Sequence, residues 1–525
     1  MYGETLGWLD YVVIAISLIG SLYVGVYFSK RQTDTANYFK AAGRIPSWAV
    51  GMSILATLIS SITFLAYPGE GYKSNWILLV QAIMIVIVLS GLVWVVVPLY
   101  RKVIGISAYE YFEKRFGIFP RFYSSFAFSL THFSKMGTVF FLMGLALTSM
   151  TGVNTYMIIW VIGFGIIYIT LKGGIEAVIW LDVIQGFMLI AGGLLTLGVL
   201  FSSVDGGPIA IISKAIEYDK ISFAPYDWDF TKLTFIVMVF NGIFYGIQKY
   251  GTDQTIIQRY LTARSDKGAI KAALMGVWLS LPVWTLFMFV GTALFAYYQI
   301  SNEVLPAGIK PDEVFPHFII THIPTGLVGL ILSALIAAAV SSLDSDLNCL
   351  SAIGVEDYYI RFRPQSTDAQ RLKVGKLVVF FSGIAALIVA TLYVQVGGTG
   401  VLGIVFGLYA IFSGGIVGIF LLGLLTRRAN VQGVNIGIIT SIFFTAYAVM
   451  TSMKIGDSLI LDLGEWNFTH HKYMLGVYTH LIVLVVGYIA SLFFKSDVPH
   501  DSLTIYDWLE QRRRRKHENN SQKVK

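Results

Sequence analysis

Charged residues are scarce in this chain. Asp, Glu, Lys and Arg together make up 13% of the 525 residues, whereas hydrophobic residues make up 56%; an average soluble domain carries about 25% charged residues. This composition excludes an ordinary soluble protein and indicates a polytopic membrane protein. The single cysteine, Cys349, excludes a disulfide framework and any metal site built from several cysteines.

Acid–base groups are also few within the apolar runs. His132 is interpreted as isolated, and His470 and His471 fall in a predicted outer loop. A membrane enzyme needs convergent acid, base or nucleophilic groups, so we predict that the protein is not an enzyme. The N-terminus lacks the basic segment of a cleavable signal, and the first apolar run is long enough to span a bilayer. We therefore expect a retained helix.

Apolar runs of about 20 residues, the length that spans a bilayer, fill most of the chain. Charge clusters separate them into thirteen segments, so the predicted fold is an all-α membrane protein with about thirteen transmembrane helices. The segments are approximately residues 8–28, 46–66, 76–99, 122–150, 152–171, 177–202, 232–254, 268–298, 325–356, 374–394, 401–425, 433–453 and 473–494.

Lysine and arginine are distributed unevenly between the loops. Of the 38 basic residues, 29 fall in alternate loops or the tail and seven in the opposite loops. Because cytoplasmic loops carry the basic excess, we predict an outer N-terminus and a cytoplasmic C-terminus in the plasma (inner) membrane. The basic tail is interpreted as an anchor at anionic lipid rather than a nucleic-acid site. No obligatory protein partner is predicted.

Five charged residues are interpreted as intramembrane charges. Each is costly in a bilayer, by about 2.5–3.5 kcal/mol on insertion scales, and is therefore a candidate functional residue. They are Lys135, Asp182, Lys249, Asp344 and Asp346.

A polar strip crosses the segment 325–356. The spacing of Ala338, Ser341, Ser342 and Ser345 places them on one helical face. With Asp344 nearby, this strip predicts a cation site. Asp346 falls toward the other side of the helix, and its role is left open.

The segment 46–66 also contains clustered hydroxyl groups, followed by Pro68-Gly69-Glu70-Gly71. Such hydroxyls can be polar contacts between packed helices. Alternatively, the helix is interrupted and exposes backbone carbonyls to a cation or substrate, as in secondary transporters. The glycine-rich sequence and the polar strip near Ser341 favour an interrupted helix.

Two further acidic residues need partners. Asp182 could share a cation with Ser345 and Asp344, or it could pair with Lys135 or Lys249. Spacing alone leaves these alternatives open. Asp253 is predicted to form a salt bridge with the nearby Arg259.

Three motifs in this order over thirteen segments resemble the sodium:solute symporter family. They are residues 173–185 (Gly-Gly-Ile-Glu to Asp-Val-Ile-Gln), 252–259 (Thr-Asp-Gln to Gln-Arg) and 341–345 (Ser-Ser-Leu-Asp-Ser). Residues 60–64 and 107–111 resemble the bacterial sodium/sialic acid symporters of this family in particular, and the sodium/glucose cotransporters are more distant.

The resemblance implies the leucine-transporter fold, with two inverted five-helix repeats. The implied parts are an extra N-terminal helix and inner loop (1–45), the first repeat (46–202), an outer loop (203–231), the second repeat (232–425), two C-terminal helices (426–495) and a cytoplasmic tail (496–525).

The resemblance also implies two sodium sites. The first would use the carbonyls of Ala56, Ile59 and Ala338 with the hydroxyls of Ser341 and Ser342. The second would use Asp182, Ser341, Asp344 and Ser345. Asp344 stands where the sialic acid symporters have a serine, so the sodium stoichiometry and any proton sensitivity stay open.

The substrate residues implied by the same resemblance are Ser60, Ser61, Thr63, Gln81, Lys135, Lys249 and Phe406. Lys135 replaces a carboxylate-binding arginine, Lys249 a gate tyrosine and Phe406 a pocket glutamine. Two lysines favour an anionic solute, so we predict sodium-coupled import of a sugar acid such as sialic acid. A neutral sugar or polyol and another organic anion are the alternatives. Outside the transporters, the alternative is an ion channel.

Overall fold

The computed structural model describes residues 6–59, 61–396, 414–455, 458–495 and 503–510, which are almost entirely α-helical. The helices are α1 (Trp8–Ser29), α2 (Thr35–Lys40), α3 (Ser47–Leu58), α4 (Ser61–Lys73), α5 (Leu79–Val103), α6 (Glu110–Phe116), α7 (Ile118–Thr151), α8 (Thr155–Ser202), α9 (Gly207–Glu217), α10 (Phe235–Gly251), α11 (Gln254–Thr262), α12 (Asp266–Ser301), α13 (Pro311–His322), α14 (Leu327–Ile353), α15 (Ile360–Phe362), α16 (Asp368–Val396), α17 (Ile416–Leu425), α18 (Val431–Ser452) and α19 (Lys472–Ser491).

Short elements connect some of these helices. Two strands, β1 (Lys454–Ile455) and β2 (Ser458–Leu459), pair antiparallel. A π-helical segment, Gly354–Tyr359, continues α14 into α15. Such segments are rare and often occur at functional sites.

Nine helices in the described residues are long and apolar enough to cross a membrane, and α3 with α4 makes a tenth, bent span. The all-α membrane fold is therefore confirmed, while the number thirteen stays a prediction. Part of the predicted segment 401–425 lies outside the described residues.

Helix α8 is too long for one span. Its 48 residues would extend about 72 Å, more than twice the hydrocarbon thickness of about 30 Å. Gly174 interrupts it with φ +56°, a conformation that favours glycine. A Cβ there would also lie 2.9 Å from the carbonyl oxygen of Tyr38. The interruption lies between the predicted segments 152–171 and 177–202.

Helix α14 lies at the centre and α1 at the periphery. In the most apolar window of the α14 span 89% of the residues are buried, against 11% in α1. Because the exposed residues of α1 are largely apolar, we interpret its outer face as lipid-facing. Buried Asp10 joins the two helices by accepting hydrogen bonds from the amides of Gly326 and Gly329, both at 2.7 Å.

Small residues bring α12 close to α3 and α4. A Cβ at Gly291 of α12 would lie 2.0 Å from the carbonyl oxygen of Pro68, and one at Gly276 would lie 2.5 Å from Ile54. Close packing through glycine is typical of membrane helices, which associate mainly by van der Waals contact. It holds α3 and α4 against one rigid neighbour.

Candidate functional site

The predicted interruption of the second segment is confirmed. Helix α3 ends at Leu58, and Ile59 is extended, with φ −104° and ψ 115°. The axes of Ser47–Leu58 and Thr63–Lys73 differ by 55°. Because the last carbonyls of a helix lack intrahelical donors, this break presents backbone oxygens in the interior.

Helix α14 crosses this break. The Ser341 hydroxyl lies 3.2 Å from the carbonyl oxygens of both Ala56 and Ala338. A cavity of about 10 Å³ is lined by Ala56, Ile59, Ala338 and Ser341, among others, which is space for one water-sized particle. The next hydroxyl, that of Ser342, is buried and has no hydrogen-bond partner among the described residues. Carbonyl and hydroxyl oxygens suit a hard cation, so these residues fit a sodium ion.

Asp182 pairs with Arg259 rather than with either lysine. Arg259 Nη2 lies 2.8 Å from Asp182 Oδ2 and 2.7 Å from the Ser345 hydroxyl. Its Nε donates to Ser53 Oγ at 2.7 Å, and Ser53 donates in turn to Asp182. The predicted Asp253–Arg259 salt bridge is therefore wrong. The cause is that α11 is buried throughout, so Arg259 projects into the core rather than into a loop.

Asp344 lies beside this pair, with its Oδ1 atom 3.5 Å from the Ser345 hydroxyl. Asp182, Asp344 and Arg259 are all fully buried, so this cluster holds two carboxyl groups and one guanidinium. Asp182 Oδ1 and Asp344 Oδ2 have no hydrogen-bond partner among the described residues. Buried charges need compensation. The oxygens of Asp182, Asp344 and Ser345 therefore fit a further cation, although the guanidinium already contacts two of these three residues.

A second, much larger cavity of about 820 Å³ lies next to the helix break. Its lining includes Thr63, Gln81, Lys135 and Lys249, which the sequence predicts as substrate residues. The cavity is large enough for a small organic ligand. Ser60, Phe406 and the side chain of Ser61 lie outside the described part of the chain.

Both lysines of the large cavity are paired with aspartates. Lys135 Nζ lies 3.0 Å from Asp346 Oδ2, and Lys249 Nζ lies 2.5 Å from Asp253 Oδ2. Asp346, which had no role in the sequence interpretation, thus has a partner on α7. The pairing of either lysine with Asp182 is wrong, because each ammonium group already has a nearer carboxylate.

His132 connects the two lysine–aspartate pairs. Its Nδ1 lies 2.8 Å from Asp346 Oδ1, and its Nε2 lies 3.6 Å from Asp253 Oδ2. The ring stacks on Phe128 with centroids 3.8 Å apart. The sequence interpretation of an isolated histidine is therefore wrong. We call the following five residues the charge row: Lys135, Asp346, His132, Asp253 and Lys249.

The glutamines of the 252–259 motif are structural. Gln254 accepts a hydrogen bond from the Ala108 amide at 2.7 Å and donates to the Ile106 carbonyl at 2.9 Å. Gln258 donates to Asn348 Oδ1 at 2.8 Å. These bonds fix α11 against the segment before α6 and against α14, which positions Arg259 at Asp182.

Sequence reasoning missed two residues of the site, His132 and Arg259. A signal for His132 existed, since residues three apart share a helical face and Lys135 had been identified. Arg259 ends the 252–259 motif, but no local signal indicated that it meets Asp182. Its helix, α11, is polar in sequence yet buried at every residue, so composition placed it in a loop.

Comparison with known proteins agrees with this geometry. Residues 38–441 match the model of the sodium:solute symporter family. The chain is similar to the sodium/sialic acid symporter of Aliivibrio fischeri, with 32% identity over 96% of this chain and 97% of that protein. It is also similar to the sodium/sialic acid symporter of Proteus mirabilis, with 35% identity over 86% of this chain and 93% of that protein.

Solved structures give the same result. A substrate-bound, outward-open Na+-coupled sialic acid symporter superposes with a TM-score of 0.86 at 33% identity, covering 93% of this chain and 99% of that one. A nucleobase-cation-symport-1 family transporter, at 15% identity and a TM-score of 0.52, shares the fold alone, over 88% of this chain and 96% of its own. This chain has the leucine-transporter fold and belongs to the sodium:solute symporter family of sodium-coupled membrane transporters.

Proposed function

We propose that this protein imports an anionic sugar acid, such as sialic acid, together with sodium by alternating access. The observation that carries the proposal is the 820 Å³ cavity lined by Thr63, Gln81, Lys135 and Lys249, next to the interrupted helix. The sialic acid symporters named above support this substrate class. In this proposal Lys135 faces the substrate carboxylate, and Thr63 and Gln81 donate to its hydroxyls or amide.

Sodium would bind at the α3–α14 crossing, through the carbonyls of Ala56, Ile59 and Ala338 and the hydroxyls of Ser341 and Ser342. An ion there would hold the two helices together and favour the outward-open state, and its release would let the inner side open. The membrane potential contributes about 2.3 kcal/mol for one charge crossing 100 mV. A second ion would use Asp182, Ser341, Asp344 and Ser345.

Two inverted repeats, residues 46–202 and 232–425, would form the transporter core. Because most basic residues fall in alternate loops and the tail, we place the N-terminus outside and the C-terminus on the cytoplasmic side of the inner membrane. In this orientation the large cavity reaches toward the outer side, because Glu70, Asp312 and Tyr473 line it near that end.

Uptake of radiolabelled sialic acid into proteoliposomes tests the proposal. We expect saturable uptake that requires an inward sodium gradient and increases with an inside-negative potential. Uptake without saturation, or with no response to sodium, would contradict symport and favour a channel. Lys135→Gln should reduce uptake, whereas Lys214→Gln, a control on α9 that does not line the cavity, should not.

A neutral sugar or polyol is the second candidate substrate. The observation in its favour is that Asp346 and Asp253 already neutralise both cavity lysines. Sodium-dependent thermal stabilisation by galactose or inositol, with none by sialic acid, would select this candidate.

A further inference from the structure

Both ring nitrogens of His132 face carboxylates. The Nδ1 atom is 2.8 Å from Asp346, the Nε2 atom is 3.6 Å from Asp253, and the side chain is only 3% exposed. A neutral imidazole has one N–H donor and one lone pair, whereas the imidazolium has two donors. In the neutral form, a lone pair would therefore face an ionised carboxylate on one side of the ring. The protonated form satisfies both sides.

The proton belongs on the ring rather than on a carboxylate. Asp346 Oδ1 already accepts a hydrogen bond from the Lys135 ammonium at 3.1 Å, and the same nitrogen lies 3.0 Å from Oδ2. Asp253 accepts from Lys249 at 2.5 Å and also from the Thr255 amide at 2.9 Å. Because charged donors stabilise an ionised carboxylate, protonation of either aspartate would weaken an existing ion pair.

The net charge of the charge row depends on this proton. With neutral His132, two ammonium groups and two carboxylates cancel, and with protonated His132 the row carries one positive charge. The other titratable groups lining the cavity close to the row, the phenols of Tyr109 and Tyr245, are uncharged at neutral pH. The carboxylates of Glu70 and Asp312 line the same cavity, but neither is hydrogen-bonded or ion-paired to the row.

We propose that His132 is a proton-binding site that gives the charge row its net positive charge, so that an anionic substrate and one proton bind together. The inference rests on the proposed function, because it concerns how that site accepts a carboxylate. It also resolves the conflict between a cavity with two lysines and their neutralisation by aspartates. A neutral ligand would gain nothing from the proton.

Binding should then depend on pH. A sugar carboxyl titrates below about pH 4, so the ligand stays anionic between about pH 5 and pH 8. We expect the Kd of sialic acid at saturating sodium to rise as pH rises across this range. The rise approaches tenfold per pH unit, the limit for linkage to one proton. The sialic acid methyl ester, which lacks the charge, should bind with the same Kd throughout.

Calorimetry of the unmodified transporter provides the primary measurement. Titrations near the upper end of this pH range, in buffers of different ionisation enthalpy, report the protons taken up per ligand. We expect uptake of up to one proton with sialic acid and none with the ester. A pH-independent Kd for sialic acid, or an equal pH dependence for the ester, would overturn the proposal.

Two substitutions assign the proton to its residue. His132→Gln should bind sialic acid as weakly at low pH as the unmodified protein does at high pH. His480→Gln is the matched control, because His480 is buried on α19, where it accepts from the Gly415 amide, and does not line the cavity. It should retain the pH dependence. If His132→Gln also retained the pH dependence, the assignment of the proton to His132 would be refuted.

Different results would contradict the proton site at His132 and the proposed function. No binding of sialic acid at any pH would contradict the proposed substrate. Sodium-dependent binding with a constant Kd would keep the substrate and reject the proton site. If His132→Gln does not fold, the ester comparison and the proton count in the unmodified protein still decide.

Discussion

Replacing Ser342 with alanine should separate ion binding from folding. The Ser342 hydroxyl is buried without a hydrogen-bond partner among the described residues, so its removal breaks no bond of the folded chain. In the proposed first sodium site it is one of five oxygen ligands. An interaction with a charged partner is worth about 1.5–3 kcal/mol. The apparent sodium affinity should therefore fall roughly 10- to 150-fold.

The measurement is thermal stability in detergent over a sodium series, without substrate. In the absence of sodium, the melting temperature of Ser342→Ala should equal or slightly exceed that of the unmodified protein, because a desolvated hydroxyl has been removed. Stabilisation by sodium should require correspondingly higher concentrations, following the logarithmic dependence on ligand concentration. The sodium dependence of uptake in proteoliposomes should shift by the same factor.

Ser333 provides a matched control on the same helix. It is buried, and its hydroxyl likewise lacks a partner in the described part of the chain, but it lies nine residues away, about 13 Å along the axis. Ser333→Ala should leave the sodium dependence of the melting temperature unchanged. An unchanged sodium dependence in Ser342→Ala, or an equal loss in both variants, would refute the ligand role.

Three further predictions follow from the packing and the ion pairs. Asp182→Asn leaves the buried charge of Arg259 without its carboxylate, so the free energy of unfolding should fall by about 3–5 kcal/mol. Thermal or denaturant melts measure this change, and a loss below about 1 kcal/mol would contradict a buried ion pair. Gly291→Ala forces a Cβ to within 2.0 Å of a carbonyl oxygen of α4 and should cost about 1–3 kcal/mol, whereas Gly198→Ala, which meets open space, should not. Lys135→Gln should weaken sialic acid binding more than about tenfold at saturating sodium, whereas Lys135→Arg should preserve binding because arginine keeps the charge. Equal losses of affinity in both variants would exclude a role for the charge of Lys135.

The sequence predicts the helices better than their contacts. Apolar run length and the glycines around Gly174 are local, so the all-α fold and the interruption in α8 follow from them. The break after Leu58 follows from polar and glycine-rich sequence near an apolar run. These features depend on a few neighbouring residues, and they need no knowledge of which helices touch.

Partner choice among buried charges does not follow from local sequence. Arg259 lies 77 residues from Asp182, and His132 lies 214 residues from Asp346. Helical periodicity gives the face of each residue but not the helix that it meets. Basic-residue counting even placed Arg259 in a loop, because that rule reads charge and not burial.

The two faces of α14 explain why its two aspartates differ. Ser341 and Ser345 face α3 and the Asp182–Arg259 pair, whereas Asp346 faces α7 and the charge row. One rigid, buried helix therefore carries residues of both proposed sodium sites and, through Asp346, contacts His132 and Lys135, which line the substrate cavity. A shift of α14 against α3 on sodium release would move Asp346 relative to Lys135 and His132. In this proposal sodium occupancy and the charge presented to the substrate would be coupled through a single helix, without a chain of intermediate residues.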